Sequence, residues 1–163
     1  MRKGTKTLAI LTAIMLMAAM LPAVAMAADD DFTVVRDGVT VSASAATINQ
    51  ELGTGSSFTI TLNRSVSADL VLPAGKTFVL DLKGNTLSAA SGDTISNKGT
   101  LTVKGPGKVE NSVNGKGALV NYPDAKADLN GGEFTAVSWY TIKNMGDMTI
   151  KAGVTVTCLL YTS

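Results

Sequence analysis

Short runs of alternating apolar and polar residues, separated by Gly, Asn, Asp and Ser, recur along the chain from residue 58 onward. An alternation with a period of two is typical of a β-strand that buries one face. The pattern therefore predicts a series of short strands joined by tight turns. The runs are FTITL, FVLDLKG, LTVKGPGKV, ADLNGGEF and MTIKAGVTV.

These runs repeat at a spacing in the low twenties, which is typical of one coil of a solenoid. Aligning them gives two inward columns, and the spacing counted from Leu82 is 21, 26 and 21 residues. The sequence thus predicts an all-β parallel β-helix of four or five coils, with each strand paired to the coils above and below it. The predicted columns are Leu80, Leu101, Ala127 and Met148, and Leu82, Val103, Leu129 and Ile150.

One asparagine recurs in each repeat: Asn97 in ISN, Asn121 in LVN and Asn144 in IKN. In this phase the side chain points inward beside a turn, where its amide can bind backbone groups of its own coil and of neighbouring coils. Stacked amides form a ladder along the axis. We predict such a structural ladder, with three unrelated turn asparagines as the alternative.

The segment before the first coil predicts a cap, because an uncovered apolar end of a β-helix promotes aggregation. In SASAATINQELGTG, Ser44 is the expected N-cap of a short helix whose apolar face includes Ile48 and Leu52. Upstream, FTVV and VTV predict a hairpin that turns at Asp37 and Gly38. No equivalent pattern follows the last coil, so we expect a β-helix truncated at its C-terminus.

The first 27 residues are interpreted as a signal peptide. Three basic residues precede an apolar run of about 14 residues, and Ala25-Met26-Ala27 is a small-residue cleavage site. The run is shorter than the ~20 residues of a transmembrane helix. We therefore predict no membrane span after cleavage, and a bacterial protein that is secreted or held at the cell surface.

Composition excludes several function classes. Removing the signal peptide leaves 11 basic residues against 13 acidic ones, so no basic surface for nucleic acid is expected. Histidine is absent, which removes the commonest general base and metal ligand. We predict no cofactor, no metal and no nucleic-acid partner.

The one cysteine, Cys158, begins the final hexapeptide CLLYTS. This hexapeptide resembles the translated end of a sequencing adapter, which makes residues 158–163 a non-native tail; an ordinary apolar strand is the alternative. The predicted division is a signal peptide at 1–27, a hairpin and capping helix at 28–57, β-helix coils at 58–157 and the tail at 158–163.

From residue 58 to 156 the chain resembles the right-handed parallel β-helix proteins of the pectin-lyase-like superfamily, especially their repetitive bacterial surface members. The resemblance lies in LPAGKTFVLDLKGNTLS (72–88), ISNKGTLTVKGPGKV (95–109) and LNGGEF (129–134). It implies right-handed coils. Because that fold hosts polysaccharide lyases and hydrolases as well as adhesins and stalks, the resemblance does not select a function.

Two carboxylates are candidate catalytic residues. The alignment puts Asp81, Thr102, Asp128 and Thr149 in one outward column, so Asp81 and Asp128 are expected two coils, or about 9.5 Å, apart. That spacing is at the upper edge of the range in inverting glycosidases. A general acid needs an apolar surrounding, whereas Thr102 and a column of lysines adjoin these carboxylates. We therefore expect a solvated charged face.

The segment AVSWYTIKN contains the one tryptophan of the chain. Counting back in twos from the inward Asn144 puts Tyr140 inside and Trp139 outside. An exposed indole is suited to stack on a sugar ring, and Tyr122, outward one coil earlier, is expected to extend the platform. The alternative is that Trp139 packs over the corner.

These features favour a non-catalytic exported scaffold or adhesin-like module, which presents a lateral face to a polysaccharide or to a host or matrix glycoprotein. The alternative is the N-terminal part of a polysaccharide lyase or glycoside hydrolase whose catalytic coils lie downstream.

Overall fold

The computed structural model describes residues 30–159, which are mainly β-strand with one short helix. The strands are β1 (Phe32–Arg36), β2 (Val39–Ala43), β3 (Ser57–Leu62), β4 (Val66–Ser67), β5 (Leu70–Leu72), β6 (Thr77–Asp81), β7 (Thr86–Ser88), β8 (Ile95–Asn97), β9 (Thr100–Lys104), β10 (Lys108–Asn111), β11 (Leu119–Asn121), β12 (Lys126–Leu129), β13 (Glu133–Ala136), β14 (Ile142–Asn144), β15 (Asp147–Ile150) and β16 (Thr155–Cys158), and the helix is α1 (Ile48–Leu52).

From β3 onward, successive strands join three sheets in turn and form a parallel β-solenoid of about four turns. Sheet A contains β3, β6, β9, β12 and β15, and is extended at its N-terminal edge by β1 and β2. Sheet B contains β4, β7, β10, β13 and β16, and sheet C contains β5, β8, β11 and β14. The predicted parallel β-helix is confirmed.

The register of sheet A differs from the predicted one at its second coil. Leu80 pairs with Val103, whereas the alignment of the repeats predicts that it pairs with Leu101. The later pairs, Val103 with Leu129 and Leu129 with Ile150, agree with the prediction. Leu82 is also fully buried, but it lies in the corner after β6. A shift of two residues keeps every inward side chain inward, so the apolar alternation is the same in both registers.

Apolar side chains from all three sheets fill the tube. Phe58 and Phe78, in consecutive coils of sheet A, stack with ring centroids 5.0 Å apart and an interplanar angle of 15°. Leu87, Val109 and Phe134 are fully buried along sheet B. Burial of each such side chain contributes about 1.5–3 kcal/mol, so the stacked columns hold the coils together.

The N-terminal edge of the solenoid is covered by the hairpin and the helix. β1 pairs antiparallel with both β2 and β3, which extends sheet A. α1 lies against β5, and its Asn49 side chain binds the edge of that strand. Asn49 Nδ2 donates to the Asp69 carbonyl at 2.7 Å, and Asn49 Oδ1 accepts the Val71 N–H at 2.9 Å. The edge of sheet C is therefore satisfied by a side chain instead of a strand.

The capping helix begins later than the sequence suggested. Its N-cap is Thr47, and Ile48 and Leu52 are its buried residues. Ser44, the predicted N-cap, instead accepts the backbone N–H groups of Thr47 and Ile48 and forms the turn that precedes the helix. The helix therefore begins about one turn later than predicted. Its buried residues, Ile48 and Leu52, are the ones predicted for the apolar face.

The opposite end of the solenoid exposes apolar side chains. Ile150 in β15 is 50% exposed and Val156 in β16 is 44% exposed, whereas Leu129 and Phe134, directly below them, are fully buried. Within residues 30–159, no strand pairs with the outer edges of β14, β15 and β16. This end therefore presents both free backbone groups and apolar surface.

Two predicted segments lie partly or wholly outside the described residues. The predicted signal peptide, residues 1–27, is outside them, as are residues 160–163 of the predicted tail. Cys158 is the last residue of β16 and pairs with Ala136. Of the residues from 30 to 159, none form a helix with the length and hydropathy needed to span a membrane.

Candidate functional site

The three asparagines form a continuous ladder inside one corner of the solenoid. Asn97 Nδ2 donates to Asn121 Oδ1 at 2.8 Å, and Asn121 Nδ2 donates to Asn144 Oδ1 at 2.8 Å. Asn97 and Asn121 are fully buried, whereas Asn144 is exposed at the upper end. Because each buried amide is engaged by protein groups, the ladder is a structural element and does not offer a binding site.

The carboxylates proposed as a catalytic pair do not share a column. Asp81 pairs with Lys104, and its Oδ1 accepts the backbone N–H of Lys83 at 3.0 Å. Asp128 pairs with Thr102 and Thr149. Its column therefore lies two residues along the strand from the column that contains Asp81 and Lys104. The prediction that Asp81 and Asp128 share one column is therefore wrong. Its cause is the same two-residue difference in register that pairs Leu80 with Val103.

Asp128 has a different acidic neighbour in a shallow groove on sheet A. The groove has a volume of about 180 Å³ and includes Asp128, Asp147, Lys126 and Thr149. Lys126 pairs directly with Asp147. Within the described part of the chain, no three Asp, Glu or Cys side chains are arranged to hold a metal ion. The groove thus combines two carboxylates with one ammonium group on an open strand face.

Trp139 projects into solvent from the corner between β13 and β14, where its side chain is 85% exposed. The backbone beneath it is fixed to the next coil. Thr141 Oγ1 donates to the Thr157 carbonyl at 2.8 Å, and Cys158 Sγ donates to the Ser138 carbonyl at 2.9 Å. The indole is therefore exposed on a corner whose residues are hydrogen-bonded to the next coil, outward as the sequence indicated.

Tyr140 lies beside Trp139 on the outer surface, although alternation had put it inside the tube. It is half-buried and rests on Gly117 of the coil below, where a Cβ would approach Tyr140 Cε2 to 2.5 Å. Its hydroxyl lies 3.4 Å from Asp93 Oδ1 and 3.4 Å from the Gly115 carbonyl. Alternation fails here because residues 137–141 form a corner and β14 begins only at Ile142.

The environment of Tyr140 keeps its hydroxyl protonated. Burial raises the pKa of Tyr140, and the adjacent Asp93 carboxylate raises it further by its charge and its hydrogen bond. The phenol is therefore a hydrogen-bond donor over the physiological pH range. Lys143 Nζ lies 6.0 Å from the centroid of the same ring, which places a cation beside the aromatic face.

Tyr122 and Trp139 flank the strands of sheet C at opposite ends. Trp139 precedes β14 by three residues, whereas Tyr122 follows β11 by one. Lys98 Nζ lies 5.2 Å from the centroid of the Tyr122 ring. Each tyrosine is thus paired with its own lysine.

Together these residues form one mixed surface on the outer face of sheet C. Between the two ends, Val120 points outward but is only 3% exposed, so side chains on the outer face cover it. We call this surface the sheet C patch. It consists of Lys98, Tyr122, Trp139, Tyr140 and Lys143.

The sequence indicated two members of this patch and missed the others. Lys98 and Lys143 each adjoin a ladder asparagine in sequence, and this proximity to Asn97 and Asn144 was the available signal.

Comparisons with protein-family models, with curated proteins and with solved structures give no significant match to this chain. The functional argument therefore rests on the geometry of the patch.

Proposed function

We propose that this chain is a rigid, non-catalytic module of an exported bacterial protein, secreted or held at the cell surface, which binds carbohydrate through the sheet C patch. Its partner is a polysaccharide or a host or matrix glycoprotein. We further propose that its solenoid is right-handed and related to the pectin-lyase-like superfamily, whose repeat and turn motifs its sequence resembles.

The observation that supports this proposal is the 85% exposure of Trp139 on a corner that is hydrogen-bonded to the next coil. An exposed indole has a flat apolar face that suits the C–H face of a sugar, and its N–H can bind a sugar hydroxyl. Tyr140 lies beside the indole; its hydroxyl is directed at Asp93 and the Gly115 carbonyl, so the phenol oxygen is left as an acceptor for a sugar hydroxyl. The solvent-facing aromatic surface and the indole N–H are the two components of a carbohydrate contact.

The stacked architecture supports a scaffold role. The buried amide ladder and the capped N-terminal edge tie each coil to the next through short hydrogen bonds. A solenoid built in this way holds lateral side chains at fixed spacing. A repeating ligand such as a polysaccharide matches an extended lateral surface of this kind.

A binding experiment tests the proposal. The chain is screened on an array of plant, bacterial and host glycans, and a bound oligosaccharide is titrated by calorimetry. Trp139→Ala is expected to weaken binding about tenfold or more, which corresponds to about 1.4 kcal/mol. Val39→Ala removes another exposed apolar side chain, 60% exposed on β2, and is expected to bind normally. Equal affinity of the Trp139→Ala variant and the unmodified chain would refute the proposal.

The groove on sheet A supports the alternative function, cleavage of a polysaccharide by a lyase or a hydrolase reaction. Asp128 and Asp147 both line it, one coil and two residues apart, which corresponds to about 8 Å between their backbones. That separation is compatible with an inverting pair of carboxylates. The test is the release of new reducing ends from uronate or neutral polysaccharides. Activity that is lost in Asp128→Asn and in Asp147→Asn would favour the enzyme.

A further inference from the structure

The chain contains two Asn-Gly pairs, Asn114-Gly115 and Asn130-Gly131. Asparagine is one of the chemically labile residues of proteins. The backbone nitrogen of the following residue attacks the carbonyl carbon of its side chain, which closes a five-membered ring. Glycine in the following position hinders this attack least, because it has no side chain. Both pairs therefore have the sequence of a deamidation site, and the fold decides which of them reacts.

Asn114 and Gly115 are exposed in the corner between β10 and β11. This corner comprises residues 112–118, whereas the corners directly below and above it, at 89–94 and 137–141, are shorter. The loop thus belongs to an inner coil with a coil on either side of it, and its exposure results from its greater length. A Cβ at Gly115 would meet nothing within 4 Å, so the space around the pair is open.

Two long contacts hold the turn that contains Asn114. Lys116 N–H donates to the Val113 carbonyl at 3.2 Å, and the Tyr140 hydroxyl lies 3.4 Å from the Gly115 carbonyl. Both distances are at or beyond the upper end of the usual range for hydrogen bonds. Within residues 30–159, the Asn114 side chain and the Gly115 N–H have no hydrogen-bond partner. Ring closure requires rotation about the Asn114 Cα–C bond, and an exposed turn with few contacts opens at low cost.

Asn130 is exposed too, but its backbone is fixed to the coil below. Asn130 N–H donates to the Val103 carbonyl at 2.9 Å. Gly131 lies against Gly105, where a Cβ on Gly131 would be 2.7 Å from the Gly105 nitrogen. Bringing the Gly131 nitrogen to the Asn130 side chain would displace this corner from the neighbouring coil. Such a movement requires opening of the packed coils, which costs more than opening of a surface turn.

We propose that Asn114 is a site of spontaneous deamidation in the folded chain, and that Asn130 is protected by its coil. The Gly115 nitrogen forms a bond to Asn114 Cγ, and its proton leaves with the side-chain amide group as ammonia. Solvent water then opens the ring at either of its carbonyls, which gives aspartate or isoaspartate. Both products place a carboxylate beside Gly115, whose carbonyl lies 3.4 Å from the Tyr140 hydroxyl at the border of the sheet C patch. The reaction is independent of glycan binding.

Peptide mapping of an aged sample tests the two rates. The folded chain is incubated at mildly alkaline pH and is then cleaved after lysine residues at acidic pH, which yields residues 109–116 and 127–143 as separate peptides. Tandem mass spectrometry measures the conversion of each asparagine, and isoaspartyl methyltransferase with a labelled methyl donor detects isoaspartate. We expect Asn114 to react at least tenfold faster than Asn130. Equal rates, or no conversion of Asn114, overturns the proposal.

A denatured sample separates the effect of the fold from that of the sequence. In urea neither Asn-Gly pair has tertiary contacts, so Asn114 and Asn130 should react at similar rates. A ratio of rates that is as large in urea as in the folded chain overturns the proposal, because the coil would then not protect Asn130.

A pair of glycine variants tests the attack by the Gly115 nitrogen. Gly115→Ala hinders this attack and should slow the conversion of Asn114 at least tenfold. Gly75→Ala is the matched control, because Gly75 has a φ of +74° against +75° for Gly115, and a Cβ at either position meets nothing within 4 Å. The control should leave the rate at Asn114 unaltered. With both variants folded by circular dichroism, an unchanged rate in Gly115→Ala overturns the proposal.

Discussion

The side-chain amide of Asn97 donates to Oδ1 of Asn121 in the next coil at 2.8 Å, and it also donates to the Lys126 carbonyl at 2.8 Å. One amide thus ties the end of a strand in sheet C to the start of a strand in sheet A, one coil higher. Asn121 repeats the arrangement with Asn144 and with the Asp147 carbonyl. Buried amides without partners are costly, so the two buried members of the ladder, Asn97 and Asn121, depend on their neighbours more than the exposed Asn144 does.

Removing the middle of the ladder is expected to destabilise the fold strongly. Asn121→Ala leaves the Asn97 amide and the Asp147 carbonyl each short of a partner, at about 1–3 kcal/mol per group. We expect the free energy of unfolding, measured by urea denaturation, to fall by about 3 kcal/mol. Asn144→Ala is the control, and it should cost about 1 kcal/mol because Asn144 is exposed and water replaces it. Equal losses in the two variants would contradict the argument that burial of the amide sets its contribution to stability.

Gly99, two residues after Asn97, occupies a position where consecutive coils come unusually close. A Cβ there would lie 2.6 Å from the Lys76 carbonyl oxygen and 2.7 Å from the Pro73 carbonyl oxygen. Both obstacles are backbone atoms, which move only if the coil moves. The Gly99 N–H also donates to Asn97 Oδ1 at 3.1 Å, so the close approach and the ladder occur at the same corner.

Gly99→Ala is therefore expected to lower the free energy of unfolding by about 2–3 kcal/mol through overpacking. Gly84→Ala is the matched control. Gly84 has a φ of +81° and nothing within 4 Å of its Cβ position, so the control should lose about 1 kcal/mol from backbone strain alone. Urea denaturation of both variants measures the difference. A larger loss for Gly84→Ala would contradict the close-approach argument.

Much of the solenoid follows from local patterns. The alternation of apolar residues and the recurrence of Asn97, Asn121 and Asn144 indicated stacked coils, because both patterns depend on which way a side chain points. The register between coils does not depend on direction alone. Pairing Leu80 with Val103 or with Leu101 gives the same inward and outward faces, so alternation alone does not select between the two registers.

Disulfide formation between coils distinguishes the two registers. In a background of Cys158→Ser, cysteines at Val79 and Thr102 are expected to form an intramolecular disulfide, since these residues pair across adjacent strands. Strands are about 4.8 Å apart, within the range of Cα separations of a disulfide. Cysteines at Asp81 and Thr102, the register the sequence suggested, lie about 8 Å apart. Thiol titration after mild oxidation checks both, and a bridge in the second pair alone would reverse the assignment.

The sheet C patch was less accessible to sequence reasoning than the coils. Trp139 was identified because it is the one tryptophan of the chain and because counting back in twos from the inward Asn144 puts it outside. Tyr140 was misplaced because corner residues do not follow strand alternation. Lys98 and Lys143 were missed because their positions over Tyr122 and Tyr140 depend on how corners of different coils stack, which no local pattern records.

Acid is expected to loosen the N-terminal cap through Asp31. Burial raises the pKa of the Asp31 carboxyl, but the Ala45 N–H and the Arg64 guanidinium, each at 2.7 Å, outweigh it and hold the pKa below its ordinary value. Because the carboxyl is more acidic in the folded chain than in the unfolded one, its charge stabilises the fold above about pH 4. That contribution is lost as the pH falls through the pKa of the folded state.

Asp31→Asn should therefore have a lower free energy of unfolding than the unmodified chain at pH 7, and the difference should narrow as the pH falls from about 5 to about 2. Asp30→Asn is the control, because the Asp30 carboxylate has no hydrogen bond or ion pair within residues 30–159. Urea denaturation at each pH gives both differences. Loss of a neutral hydrogen bond alone would lower the free energy of unfolding by the same amount at every pH. A constant difference for Asp31→Asn would therefore mean that the ion pair between Asp31 and Arg64 does not stabilise the contact of the hairpin with the first coil.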